Sequence, residues 1–399
     1  MDRNRKLLVL VFKTTILLAG VVILAAASTN WSAVSSPNLS SDNQLYGSTA
    51  VSATDVWAVG YAYTSSGIQS TLVERWNGSK WSIILSPNPG TSTRCGVGYS
   101  GSALTGVAKV SSTNLWAVGY MCGLQSKTLT EQWTGSKWSF VASPNEPGSD
   151  ASTLVAVAAR APNDAWAVGN YKVANQYQWD TLIEHWNGTK WSIVSSPNVP
   201  GASKNFLNAV VALSPMDVWA VGYSEGGTVG ATDAPLIEHF DGQSWKIVPS
   251  VYPAPSPFNV LYGIAALSPT DIWAVGYANE NSQRKNGQAL IEHWDGTKWR
   301  LVNSPIAGNA TLLYSVAAVS STDIWAVGYI QTSTVQFLPV TEHWNGTAWT
   351  VVTPPNPGKV AQLFSVATAN GKVWAVGAYS KSQMQFGYMP NPLTFVIQR

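Results

Sequence analysis

The chain has 399 residues, 45% of them hydrophobic and 11% charged, which allows a large core and excludes an intrinsically disordered class. Its net charge of +2 leaves no basic or acidic surplus, so nucleic acid is not an expected partner, because phosphate recognition needs a basic patch. Twenty tryptophans, with 33 glycines and 22 prolines, point to many short strands and turns and to an aromatic position used repeatedly.

Residues 1–27 have the layout of an export signal. Arg3, Arg5 and Lys6 precede apolar residues 7–12 and 14–27, which Lys13 separates, and Ala25, Ala26 and Ala27 form a small-residue cleavage pattern before Ser28. An uncleaved membrane anchor is the alternative. The run after Lys13 is shorter than the roughly 20 residues of a spanning helix, and reaching that length places a lysine in the middle. Only the uncleaved form would associate with a membrane. Either way, the expected location is secreted or cell-surface, with residues 28–399 forming one domain.

From Ser28 onward the chain repeats. Trp-Ala-Val-Gly begins at Trp57, Trp116, Trp166, Trp219, Trp273, Trp325 and Trp374, a spacing of about 53 residues that falls in the range of propellers and solenoids. Ahead of the first copy, Trp31-Ser-Ala-Val-Ser-Ser-Pro-Asn matches the segment that closes later units. The third unit displays the full order: residues 154–159, then Asp164-Ala-Trp-Ala-Val-Gly, then Leu182-Ile-Glu-His-Trp-Asn-Gly-Thr-Lys, then Trp191-Ser-Ile-Val-Ser-Ser-Pro-Asn. Each run is rich in Val, Ile, Leu, Ala and Trp and is bounded by Gly, Pro, Asn or Asp, which predicts a strand. Asn77-Gly78, Asn187-Gly188, Asp241-Gly242, Asp295-Gly296 and Asn345-Gly346 predict tight hairpins between the third and fourth strands. Residues 56–61 are apolar or small on both alternating faces, as in a strand buried on two sides. Three repeat positions hold nineteen of the twenty tryptophans, so packing between units accounts for them; Trp179 is the exception.

The connections differ in how far they vary. From the first-strand Leu to the second-strand Trp is 12 residues in six units and 11 in the last, and from the third-strand acid to the fourth-strand Trp is 7. The other two connections span 14 to 23 and 12 to 16 residues and lie on the opposite face, where a rigid scaffold can carry binding loops. Cys95 and Cys122 fall on this variable face, in the longest inserted loop, and an exported chain allows them to pair as a disulfide. The last unit has strands around Leu363 and Trp374 and a third expected at residues 393–398, but no fourth. The Trp31 segment can fill that gap. The predicted fold is therefore all-β: a seven-bladed β-propeller with four antiparallel strands per blade, closed by the N-terminal strand joining the last blade and leaving no open edge.

The order of a small-residue strand, Asp271-Ile-Trp-Ala-Val-Gly and Glu292-His-Trp-Asp-Gly-Thr-Lys-Trp299 resembles the kelch motif over nearly all of residues 29–399. It departs from that motif where paired glycines usually end the second strand: here Gly60, Gly119, Gly222, Gly276 and Gly328 are followed by tyrosine. The resemblance extends to galactose-oxidase-type propellers, whose copper site needs His and Tyr ligands with a Cys–Tyr crosslink. No such site can be placed here, because both cysteines belong to one blade and His185, His239, His293 and His343 all occupy one repeat position.

Repetition also argues against catalysis. Equivalent histidines and glutamates are spread around a ring, whereas metal ligands and acid–base pairs converge on one point. The repeated Asp of the second strand (Asp55, Asp164, Asp217, Asp271, Asp323) is expected to bond local backbone. The innermost strands are expected to offer Gly47, Thr105, Ala156, Asn208, Gly263 and Ser315 to the central funnel, with no acid. No phosphate-binding loop, zinc-protease motif or nucleophile elbow is present. No catalytic residue, metal or cofactor is expected. The expected function is non-enzymatic binding of a protein or glycan by a monomer, through variable-face residues Tyr63, Tyr99, Tyr177, Trp179, Asp180, Tyr252 and Arg284. A carbohydrate-active enzyme with its site on the same face, or a structural surface component, are the alternatives.

Overall fold

The computed structural model describes residues 31–91, 95, 100–226, 232–253, 258–279, 287–305, 307–332, 336–385 and 389–399. Every helix or strand among the described residues is a β-strand. In the third unit Ala151–Ala161, Asp164–Lys172, Trp179–Trp186 and Trp191–Ile193 pair antiparallel in that order. The unit opening at Asn43–Ser52 and the one opening at Ala310–Ser320 pair in the same way. Local chemistry sets the hairpins. Gly188 takes φ 96°, which any side chain would resist, while the Asn187 side-chain oxygen accepts from the backbone N–H of Thr189 at 3.0 Å and Lys190 at 3.1 Å.

The second strands are buried on both faces, as the sequence predicts: residues 55–62 of Asp55–Tyr63 are all buried. The reason is the packing of one unit on the next. Trp57 of the first unit lies 4.8 Å from Trp133 and 5.6 Å from Trp138 of the second, and the same trio recurs as Trp116, Trp186 and Trp191. Three repeat positions that are distant in sequence thus form one inter-unit cluster.

The final group pairs Val360–Ala369, Lys372–Ser380, Leu393–Gln398 and Ser32–Val34, with Ser32 opposite Gln398 and Val34 opposite Val396. Trp31 packs edge-on against Trp325 at 5.3 Å and donates its indole N–H to the Thr341 hydroxyl at 2.9 Å. Trp374 shares a buried cluster with Trp76 and Trp81 of the first unit.

A second inter-unit contact is polar. Ser143 donates to the buried Glu184 of the following unit at 2.6 Å, Ser250 to Glu292 at 2.8 Å, and Ser304 to Glu342 at 2.9 Å. Ser86 and Ser196 occupy the same position opposite Glu131 and Glu238 but are bonded to the Thr71 and Thr181 hydroxyls, and Ser36 of the N-terminal segment donates to Glu74. The last unit breaks the pattern on both sides. Ile397 stands at the glutamate position and Pro354, in the preceding unit, at the serine position. A buried carboxyl without its donor is costly, so the pair is replaced together.

Candidate functional site

The innermost strands build the candidate site. In each of them one residue is unpaired in a β-bulge that follows the conserved leucine: Tyr46, Thr105, Val155, Asn208, Tyr262, Tyr314 and Phe364. A bulge re-aims its side chain, and all seven line one cavity of about 1070 Å³. All six residues expected at the funnel from sequence line this cavity: Thr105 and Asn208 in the bulge row, and Gly47, Ala156, Gly263 and Ser315 one residue further on. The aromatic members of the bulge row were not among those expected. Aligning the units on the first-strand leucine would have revealed a column that varies while its neighbours repeat.

The bulge and the Trp-Ala-Val-Gly glycine are one device. A Cβ on Gly276 would sit 1.8 Å from the Val260 carbonyl oxygen, and one on Gly60 equally close to that of Gln44. The backbone folds over the glycine to accommodate the extra residue opposite. Adjacent innermost strands also meet closely. A Cβ on Gly47 would lie 3.0 Å from the Gly106 Cα, and Ser48 bonds through its amide to the Ser365 hydroxyl at 3.0 Å.

The cavity wall has two characters. Phe364 lies 5.0 Å from Tyr46 and 5.4 Å from Tyr314, and Tyr314 lies 5.2 Å from Tyr262, which forms a continuous aromatic arc. Across from it stand Thr105, Val155 and Asn208. Thr105 donates to the Leu154 carbonyl at 2.9 Å and Asn208 to the Leu261 carbonyl at 2.8 Å, so both bind neighbouring strands. Gln44 accepts from the Tyr46 hydroxyl at 2.9 Å and Gln69 from that of Tyr120 at 2.7 Å. No described lining residue is acidic, basic or histidine. Burial pushes the phenols of Tyr61 and Tyr314 well above the usual range.

Of the binding residues expected from sequence, Tyr63, Tyr177, Trp179, Asp180 and Tyr252 do not line this cavity. Trp179 opens its strand, and its ring lies 5.7 Å from Phe206 of the next unit, which stacks on Tyr223 at 5.1 Å. Tyr177 is 71% exposed, with the Lys204 ammonium 5.1 Å from its ring centre. Asp180 accepts from Gln178 at 2.7 Å, and burial together with that carboxylate raises Tyr171 to about 12. Tyr63 packs edge-on against Tyr61 at 5.4 Å, while Tyr252 is exposed on a separate connection. Tyr99 and Arg284 lie outside the described residues. Asp42, beside Tyr61 and Tyr63, is raised by burial to about 6. Cys95 is bonded to Cys122, which ends the strand Asn114–Cys122 rather than lying in the inserted loop.

On the opposite rim the repeated aspartates take side-chain partners, not the backbone expected from sequence. Asp217 Oδ1 lies 2.8 Å from His239 Nε2 and accepts from the Trp219 indole at 2.8 Å, and Asp271 repeats the arrangement with His293 and Trp273. Where the histidine position holds Arg75 its partner is Asp55, and where it holds Gln132 its partner is Asn114. Among the described residues no group of His, Cys, Asp and Glu could hold a metal.

No protein-family model and no curated protein matches the chain. Solved structures do. The structure of YCF48 bound to D1 peptide covers 92% of this chain and 96% of its own, with 13% identity and a TM-score of 0.54. A protein of unknown function from Dyadobacter fermentans covers 93% and 98%, at 9% identity and a TM-score of 0.50. The fungal lectin of Aleuria aurantia, described as a six-bladed β-propeller, covers 78% and 96%, at 16% identity and a TM-score of 0.45. The chain has a β-propeller fold. At these identities the likeness is one of fold, and the four-stranded units described above are its blades.

Proposed function

We propose that this chain is an exported, monomeric, seven-bladed kelch-like propeller, closed by its N-terminal strand, that binds a protein or glycan without catalysis on the face carrying its long connections. The cavity wall carries the binding reading. It combines aromatic faces, amides and hydroxyls, and burial holds the phenols of Tyr61 and Tyr314 neutral, which suits contact rather than proton transfer. Closure is supported by the pairing of Ser32–Val34 with Leu393–Gln398 and by the Ser36–Glu74 and Ser48–Ser365 contacts between the last and first blades. Export is supported by the basic and apolar layout of residues 1–27 and by the disulfide.

The partner is best sought without presuming its class. YCF48 carries a peptide in its structure, so a polypeptide belongs among the arms of the test. A glycan array and a pull-down, each run with the wild type and Trp179→Ala, are expected to give a specific ligand; a binding loss of about tenfold in the variant would put the contact on the long connections, and unchanged binding would put it in the cavity. A protein that captures nothing in either format would refute the binding reading.

A further inference from the structure

The cavity's composition narrows the ligand class. Its volume, about 1070 Å³, stands at the upper end of the roughly 300–1,000 Å³ of small-molecule sites. One wall is the arc of Tyr46, Phe364, Tyr314 and Tyr262, with neighbouring ring centres 5.0 to 5.4 Å apart. This spacing follows from the bulge placed at the same point of four adjacent blades. Tyr46 and Phe364 are tilted by 34° while Phe364–Tyr314 and Tyr314–Tyr262 meet edge-to-face, so the row offers a stepped wall of ring edges and part-faces to a ligand with several flat C–H surfaces. Hydrogen-bonding groups stand beside them: Gln44 and Gln69 spend their side-chain oxygens on tyrosine hydroxyls, which leaves their NH₂ groups as donors. With no charged side chain in the described lining, an anionic or cationic ligand would lose its hydration without gaining a counter-charge. A neutral polyhydroxylated ligand matches both features, since its C–H faces stack and its oxygens accept.

We propose that the central cavity is a binding site for an uncharged oligosaccharide, which stacks on the Tyr46–Phe364–Tyr314–Tyr262 arc. This deepens the binding role proposed above and rests on it. The test is a glycan array of neutral and anionic oligosaccharides, followed by titration of the best ligand into wild type, Tyr262→Leu, Phe364→Leu and Trp179→Ala. Neutral sugars are expected to bind, with affinity nearly unchanged from about 50 to about 500 mM sodium chloride. Both leucine variants should bind at least about tenfold more weakly at an unchanged melting temperature. Should a leucine variant fail to fold, saturation-transfer NMR on the wild type, irradiating aromatic protons, is expected to mark the sugar's ring protons most strongly. A best ligand bearing carboxylate or sulfate with salt-weakened binding would overturn the assignment. So would binding that survives both leucine variants but is lost in Trp179→Ala, or capture of a polypeptide and no glycan; in these two cases the propeller remains a binder. Capture of nothing would sink both readings.

Discussion

Six buried glutamates face the serines or serine-bearing segments of neighbouring blades. Burial raises the carboxyls of Glu74, Glu131, Glu184 and Glu238 to about 8 and those of Glu292 and Glu342 to about 7, with the serine hydroxyls pulling the other way. The unfolded chain titrates these groups near 4.5, so between that value and 7–8 the folded state binds more protons. Their stabilising contribution is complete below 4.5 and is lost as pH rises through the folded values. The melting temperature should accordingly be higher at pH about 5.5 than at about 9. Glu184→Gln, uncharged throughout, should narrow that difference by melting higher than the wild type at the alkaline end. Parallel pH profiles for the two proteins would contradict a buried, neutral Glu184. The replacement of both partners by Ile397 and Pro354 fits the same energetics, because an apolar pair needs neither proton nor donor.

The smallest element that carries both fold and site is the first hairpin of a blade. The leucine anchors the inner strand in the core, the next residue bulges into the cavity, and the second-strand glycine accepts the displaced carbonyl. Gly276→Ala would drive a methyl into the Val260 carbonyl, 1.8 Å away, where backbone and not a flexible side chain must move. A destabilisation of at least about 1–3 kcal/mol is expected in denaturant titration. An unchanged midpoint would show that the bulge can relax, and with it the aim of Tyr262. The glycine's repetition was legible in the sequence, but its cause was not. The cause lies in a carbonyl on another strand, brought there by the bulge.

At the scale of the whole molecule, the proposed closure by the N-terminal strand makes the blades depend on one another. Residues 31–38 contribute the Trp31–Trp325 contact, the outer strand against Leu393–Gln398, the Ser36–Glu74 bond and the acceptance by Asn38 of the Thr394 amide at 2.9 Å. These contacts reach three blades, so removing the segment bares the edge of Leu393–Gln398 and strips side-chain contacts from two further blades. Deletion of residues 29–38 should lower the melting temperature of the single unfolding transition and increase aggregation through the bared strand edge. An unaltered melting temperature would show that the ring does not rely on this strand.

Sequence alone determined what repetition determines: strands, hairpins, the three tryptophan positions and the unit length, because each is set by local periodicity and turn chemistry or recurs at a fixed interval. It also marked Trp179 as outside the pattern, though not that it opens a strand and packs its ring on Phe206 of the next blade. Tertiary structure decided the rest. The aromatic arc, the Asp–His contacts and the serine–glutamate bonds join residues 20 or more positions apart, or strands of different blades, through strand pairing, bulges and inter-blade packing. The cavity wall takes two successive residues from inner strands, as in Tyr46 with Gly47, Tyr262 with Gly263 and Tyr314 with Ser315, because the bulge leaves the first of each pair out of the ladder, and only the paired backbone reveals it.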